Sequence, residues 1–168
     1  MIGPINRLVG RVGESSKDIS WLLFRVMSCA MFMTHGFPKL FGAKSQPAIG
    51  SGMTTVNIAD LIVFPMPLEI NALFVAGVVE LFGGALILVG LWTHVVALSA
   101  FIIMLFAFLT THPAWFPTLN NGELATLYAL VYLLMFAFGP GQYSLDTWLE
   151  RRRQVKKRQK TAAGLLGS

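Results

Sequence analysis

Long apolar runs separated by short polar connections organise the chain. Four windows, roughly 19–41, 69–91, 94–112 and 122–138, are apolar almost throughout, and each approaches the roughly 20 helical residues that cross a hydrocarbon layer about 30 Å thick. The last two are short and must draw on flanking Trp, Tyr and Pro residues at the interfaces. The pattern predicts an all-α integral membrane protein, an antiparallel bundle of four transmembrane helices. Around it the chain divides into a polar segment over 1–18, the membrane domain over 19–149 and a basic tail over 150–168.

Composition agrees, with 55% hydrophobic and 12% charged residues and a mean hydropathy of +0.65. The first 18 residues are polar and of mixed charge, without the apolar centre and small-residue cleavage site of a signal peptide, so the first span is expected to be retained. One connection, about 42–68, is long. Its first part, "GAKSQPAIGSGM", is turn-rich, whereas "IADLIVFPMPLEI" is apolar, interrupted by two prolines and too short to span. A re-entrant or interfacial segment over the outer end is expected there, acting as a lid or as a brace.

Charge sets the orientation. Of thirteen Lys and Arg residues, seven lie in "RRRQVKKRQK" at 151–160 and three more, Arg7, Arg11 and Lys17, precede the first span. Basic residues mark the cytoplasmic side, so both termini are expected inside, which agrees with an even number of crossings. Such a tail suits anionic lipid headgroups at about 1 kcal/mol per residue. No aromatic platform or groove-reading helix accompanies it, and no nucleic-acid partner is expected.

Polar side chains within the windows carry the candidate chemistry. Ionisable groups cost a few kcal/mol in a span and normally face inward with partners. On the first window Arg25, Ser28, Phe32, His35, Gly36 and Lys39 share one helical stripe. On the second, Glu80 sits between Gly77 and Gly84, small residues that let a neighbouring helix approach. An Arg25–Glu80 ion pair is expected, either a structural lock or a participant in proton or substrate handling. His35, Lys39, Glu69, His112 and Glu123 fall near the ends that an antiparallel arrangement brings to the outer level, where they would form a polar pocket. Each also has a plainer reading: Lys39 and Glu69 reach for headgroups, His35 and His112 are hydrogen-bonded interface residues, and Glu123 caps a helix dipole.

Several chemistries are excluded. The single cysteine, Cys29, rules out an internal disulfide or a dithiol redox pair. Neither His-x-x-x-His nor His-Glu-x-x-His spacing occurs, so no metal site is expected. Phosphate loops, nucleophile elbows and haem-attachment motifs are missing as well.

Taken together, "LLFRVMSCAMFMTHGFPKLFG", "VELFGGALILVGLWT", "TTHPAWF" with "NNGELATLYAL", and "FGPGQYSLD" resemble the DoxX family of small four-helix bacterial inner-membrane proteins. The resemblance marks Arg25, His35, Gly36, Lys39, Glu80, Gly83, Gly84, His112, Gly122, Glu123, Gly139, Pro140, Gly141, Ser144 and Asp146 as motif positions. It implies a redox association, with a quinone-linked oxidoreductase and with oxidative-stress and thiol-homeostasis complexes. On that expectation His35, Lys39 and Glu123 are the catalytic candidates, and Arg25, Glu80, His112 and Tyr128 the substrate-binding ones. A quinone ring would be received among Phe32, Phe82, Trp92, Phe106 and Tyr128. The alternative is a small-solute permease, or a non-catalytic anchor for a peripheral oxidoreductase, with a homo-oligomer also compatible.

Overall fold

A computed structural model describes residues 3–41, 54–58, 62–66 and 72–166. Helix α1 spans Pro4–Phe41. Two short strands follow, β1 at Thr54–Ile58 and β2 at Ile62–Met66. Then come α2 at Ala72–Val78, a π-helical turn at Val79–Gly83 and α3 at Gly84–Val89, which together make one rod. Helix α4 spans Thr93–Thr111, a 3-10 turn spans Pro117–Asn120, α5 spans Glu123–Phe138 and α6 spans Leu145–Leu166.

Helices fill most of the described residues of all four apolar windows, and two segments around them differ from expectation. Helix α1 begins at Pro4, so the polar segment ahead of the first window is its opening turns rather than a separate piece. Proline suits that position because its fixed φ is helical and its missing N–H would have been unpaired anyway. The 42–68 connection contains an antiparallel hairpin, with Thr54 opposite Met66 and Ile58 opposite Ile62. This pairing adds strands to an otherwise helical fold. The β-branched content of "TTVNI" and "IVFPM" favours extended backbone, and Pro65 is tolerated because each strand of a two-stranded ribbon is an edge. The rest of that connection, and Glu69 beyond it, lie outside the described residues.

Among the described residues one helix, α4, is long and apolar enough by itself to cross a membrane, and Phe74–Val89 and Glu123–Phe138 are shorter apolar helices. At 1.5 Å per residue the α2–α3 rod is about 27 Å long and α5 about 24 Å, close to the thickness of a hydrocarbon layer. Burial follows an inverted pattern. Arg25 and Glu80 are buried at 2% and 1% exposure, whereas Leu98, Ile102, Leu105, Leu127, Leu130 and Leu134 face outward. Charges inside and leucines outside are what a lipid-facing surface requires.

Helix α1 packs along the α2–α3 rod and α4 packs along α5. Ala97, Ala100 and Met104 on α4 and Tyr128, Ala129, Tyr132 and Met135 on α5 meet Cys29 and Phe32 of α1 and Ile87 of α3 in one core. Phe32 is its hub, with ring centroids 4.6 Å from Tyr132 and 5.2 Å from Tyr128. Small alanines on α4 let α5 approach closely, which matters where no hydrophobic driving force acts between helices.

Candidate functional site

Glycines fix the height of α1 against the α2–α3 rod. A β-carbon on Gly36 would stand 2.8 Å from Cβ of Glu80 and 2.9 Å from the Gly77 carbonyl. One on Gly84 would stand 2.8 Å from Met33, and one on Gly90 would stand 3.2 Å from an Arg25 guanidinium nitrogen. Gly36 therefore lies opposite Glu80, and Arg25 lies opposite Gly90, about 16 Å away along the axis at 1.5 Å per residue. The expected Arg25–Glu80 ion pair does not form. Lys39, one turn beyond Gly36, takes its place: Lys39 Nζ donates to Glu80 Oε1 at 2.5 Å.

Glu80 sits within the π-helical turn, whose closing bond runs from Gly84 N–H back five residues to the Val79 carbonyl. Such a turn inserts one residue into the helix and is frequent at functional sites. The Glu80 side chain is 2% exposed and that of Lys39 is 26% exposed. The pair thus joins a buried carboxylate to an ammonium that still reaches the open side. Glu80 Oε2 has no hydrogen-bond partner among the described residues.

The pair stands in a cavity of 510 Å³ between α1, the α2–α3 rod, α4 and α5. Phe32, Ala76, Ile103, Met104, Phe106, Ala107, Leu124 and Ala125 give it apolar walls. His35, Lys39, Glu80, Thr110, Thr111, His112, Asn121 and Tyr128 supply its polar atoms. The His35 ring meets Tyr128 edge-on with centroids 5.8 Å apart. His112, at the end of α4, hydrogen-bonds through Nδ1 to the Asn120 carbonyl at 2.9 Å. Thr110 Oγ1 donates to the Phe106 carbonyl at 2.8 Å, within its own helix.

Of the seven catalytic and substrate-binding candidates, the cavity gathers His35, Lys39, Glu80, His112 and Tyr128 and omits two. Glu123 is exposed at the first position of α5, after Gly122, where its charge meets the positive end of the helix dipole. Arg25 is buried at the opposite end. Of the five aromatics expected to receive a ring, Phe32, Phe106 and Tyr128 line the cavity, whereas Phe82 and Trp92 are 55% and 70% exposed and face outward. Thr110, Thr111 and Asn121 were not singled out, since nothing in their spacing sets them apart from other short polar residues. Among the described residues no three His, Cys, Asp or Glu side chains gather as a metal ligand set.

Arg25 has a different task. Its guanidinium donates to the Pro140 carbonyl and, at 2.6 Å, to the Tyr143 carbonyl. Trp21 Nε1 donates to the Gly139 carbonyl at 3.1 Å. These acceptors are presented because Gly139 and Gly141 turn the chain through positive φ, at 74° and 77°, a region that glycine enters without steric cost. Ser144 Oγ then accepts the Thr147 N–H at 3.2 Å, and the Asp146 carboxylate accepts the N–H groups of Trp92 and Thr93 at 3.0 Å each. The "FGPGQYSLD" stretch thus starts α6 and caps α4 while α1 holds it down. His94 bonds through Nδ1 to the Phe136 carbonyl at 2.8 Å.

Comparison with known proteins bears on this arrangement. The DoxX family model matches residues 20–113, more than half the chain and the stretch that carries Arg25, His35, Lys39, Glu80 and His112. An uncharacterized protein of Haemophilus influenzae is 33% identical over 127 residues, covering 73% of this chain and 84% of the relative. No solved structure matches. With its buried charges, outward leucines and matched helical core, the chain belongs to the DoxX family and is a membrane protein.

Proposed function

We propose that the protein is a multi-pass component of the bacterial inner membrane, with four antiparallel transmembrane helices (α1, the α2–α3 rod, α4 and α5) and both termini cytoplasmic. It serves a redox system by taking a quinone-type ring into an outward-facing pocket. The observation that carries this reading is the two-sided cavity: apolar walls with aromatic faces at Phe32, Phe106 and Tyr128, and a polar end at His35, Lys39–Glu80 and His112. An amphipathic ring fits such a lining, since most binding sites are largely apolar with a few placed polar groups. A free inorganic anion fits it less well, because Glu80 already neutralises Lys39. His35 and Lys39 are the residues we assign to proton handling, with Glu80, His112 and Tyr128 orienting the ring. Arg25 and Glu123 have no part in it.

Helix α6 favours a second role beside the first. It is exposed along its basic run, and the Arg152 guanidinium lies 3.7 Å from the centroid of the Trp148 ring. A basic helix with Trp148, Leu149 and Val155 among its exposed side chains suits the anionic inner surface of a membrane, where it could also hold a peripheral oxidoreductase.

Native mass spectrometry with optical spectroscopy on the protein extracted in mild detergent tests the pocket reading. A stoichiometric quinone that leaves when His35 and Lys39 are both replaced by alanine is expected. A protein that carries a partner polypeptide, with no small molecule and no uptake of added quinone, would leave the anchoring role alone standing.

A further inference from the structure

Lys39, Tyr128 and Asn121 bring donors to the cavity, and beside them Glu80 and His112 bring acceptors. A carboxylate only accepts. Glu80 engages Oε1 with Lys39 and leaves Oε2 without a partner among the described residues, on a side chain that is 2% exposed and lines the cavity. His112 repeats the polarity. A carbonyl oxygen can only accept, so Nδ1, 2.9 Å from the Asn120 oxygen, must carry the proton, and the neutral ring then presents a bare Nε2. The Thr110 hydroxyl has its proton committed to the Phe106 carbonyl and offers lone pairs only. A buried acceptor such as Glu80 Oε2 lowers the free energy of a ligand that donates and raises that of one that can only accept, and the half-buried His112 and Thr110 add to this more weakly.

Resting on the reading of the cavity as a site for a quinone-type ring, we infer that it prefers the reduced form: a neutral hydroquinone whose two O–H groups donate to Glu80 Oε2 and His112 Nε2. The oxidised ring offers carbonyl oxygens alone: it can accept from Lys39 or Tyr128 but brings no proton to Glu80 Oε2 or His112 Nε2, whereas a hydroquinone hydroxyl does both. Hydrogen bonds to a charged acceptor are the stronger kind, and the preference amounts to about tenfold or more in Kd. Tighter binding of the reduced form raises the potential of the bound couple, by about 30 mV per tenfold for two electrons.

The test is anaerobic calorimetric titration of the full chain in detergent with a short-tailed alkyl-1,4-benzoquinone and, separately, with its hydroquinone. Tighter binding of the hydroquinone by about tenfold is expected. In Glu80→Gln the amide oxygen keeps Lys39 while its NH₂ turns to the ligand, so the preference should fall or reverse. Should thermal melting show that variant unfolded, His112→Phe removes the second acceptor and should reduce the preference severalfold. Equal binding, or tighter binding of the quinone, overturns the inference and leaves the pocket reading intact. Binding of neither form overturns both, and an undiminished preference in folded variants overturns the assignment to these acceptors.

Discussion

Gly36 and Glu80 meet with no room for a side chain between them: a β-carbon on Gly36 would stand 2.8 Å from Cβ of Glu80 and 2.6 Å from the Leu81 backbone nitrogen. The π-helical turn carries the rod's backbone against α1 at this height, and only glycine accepts it. The same contact sets Lys39 one turn above, within 2.5 Å of the carboxylate. A missing side chain on one helix thereby selects which cation neutralises the buried acid on the other.

Gly36→Ala is therefore expected to destabilise the protein by about 1–3 kcal/mol, as overpacking does, because backbone atoms cannot move aside as a flexible side chain would. Gly10→Ala, on the exposed first part of α1 with nothing within 4 Å of the added carbon, should be neutral or stabilising by up to ~1 kcal/mol. Thermal unfolding in detergent compares the two. Equal melting of the Gly36 variant and the parent would mean that the close approach does not exist.

The Lys39–Glu80 pair predicts an asymmetric mutant cycle. Lys39→Met leaves a carboxylate that is 2% exposed without its cation, a loss of about 3–5 kcal/mol for a broken buried pair. Glu80→Gln should be milder, since the Lys39 side chain is 26% exposed and can turn toward water. The double variant should recover part of the Lys39→Met loss, a coupling of about 1–3 kcal/mol. Strict additivity in the measured stabilities would remove the pair.

Much of this was legible in the sequence because hydropathy counts in residues and a bilayer has a fixed thickness. The windows at 94–112 and 122–138 meet helices at Thr93–Thr111 and Glu123–Phe138 almost residue for residue. Composition at a single position also marked Arg25, His35, Lys39, Glu80 and His112 as unusual. Their pairing was not legible. It depends on axial register, which Gly36, Gly77 and Gly84 set by close approach, and a sequence read along one helix does not state its height against another. The expected Arg25–Glu80 pair assumed a register that these glycines do not allow. The π-helical turn was equally hidden, since it depends on packing rather than on any residue propensity, and the hairpin at 54–66 was obscured by prolines that read as breakers.

Glu123 illustrates how a shared level misleads. It starts α5 at the same end as His112, yet it is exposed and outside the cavity lining. Glu123→Gln should lower stability by about 0.3–1 kcal/mol through the lost dipole interaction and leave quinone and hydroquinone affinities within twofold of the parent. A tenfold loss of affinity in the calorimetric titration would return Glu123 to the site.

Arg25 supplies the sharpest separation between structural and ligand-directed roles. It is buried at 2% exposure and donates to the Pro140 and Tyr143 carbonyls, holding down the turn whose Asp146 caps α4. Arg25→Met removes both bonds and leaves buried acceptors unpaired, which should lower stability by about 2–4 kcal/mol. Arg25→Lys should recover less than half, because one ammonium does not reproduce the guanidinium fork. The cavity is remote from this contact, so the folded fraction of either variant should bind ligand as the parent does. Melting temperature and calorimetric Kd, measured on the same samples, check both halves. Unchanged melting together with lost binding would place Arg25 in the ligand site and undo the division of the molecule into a latch at one end and a pocket at the other.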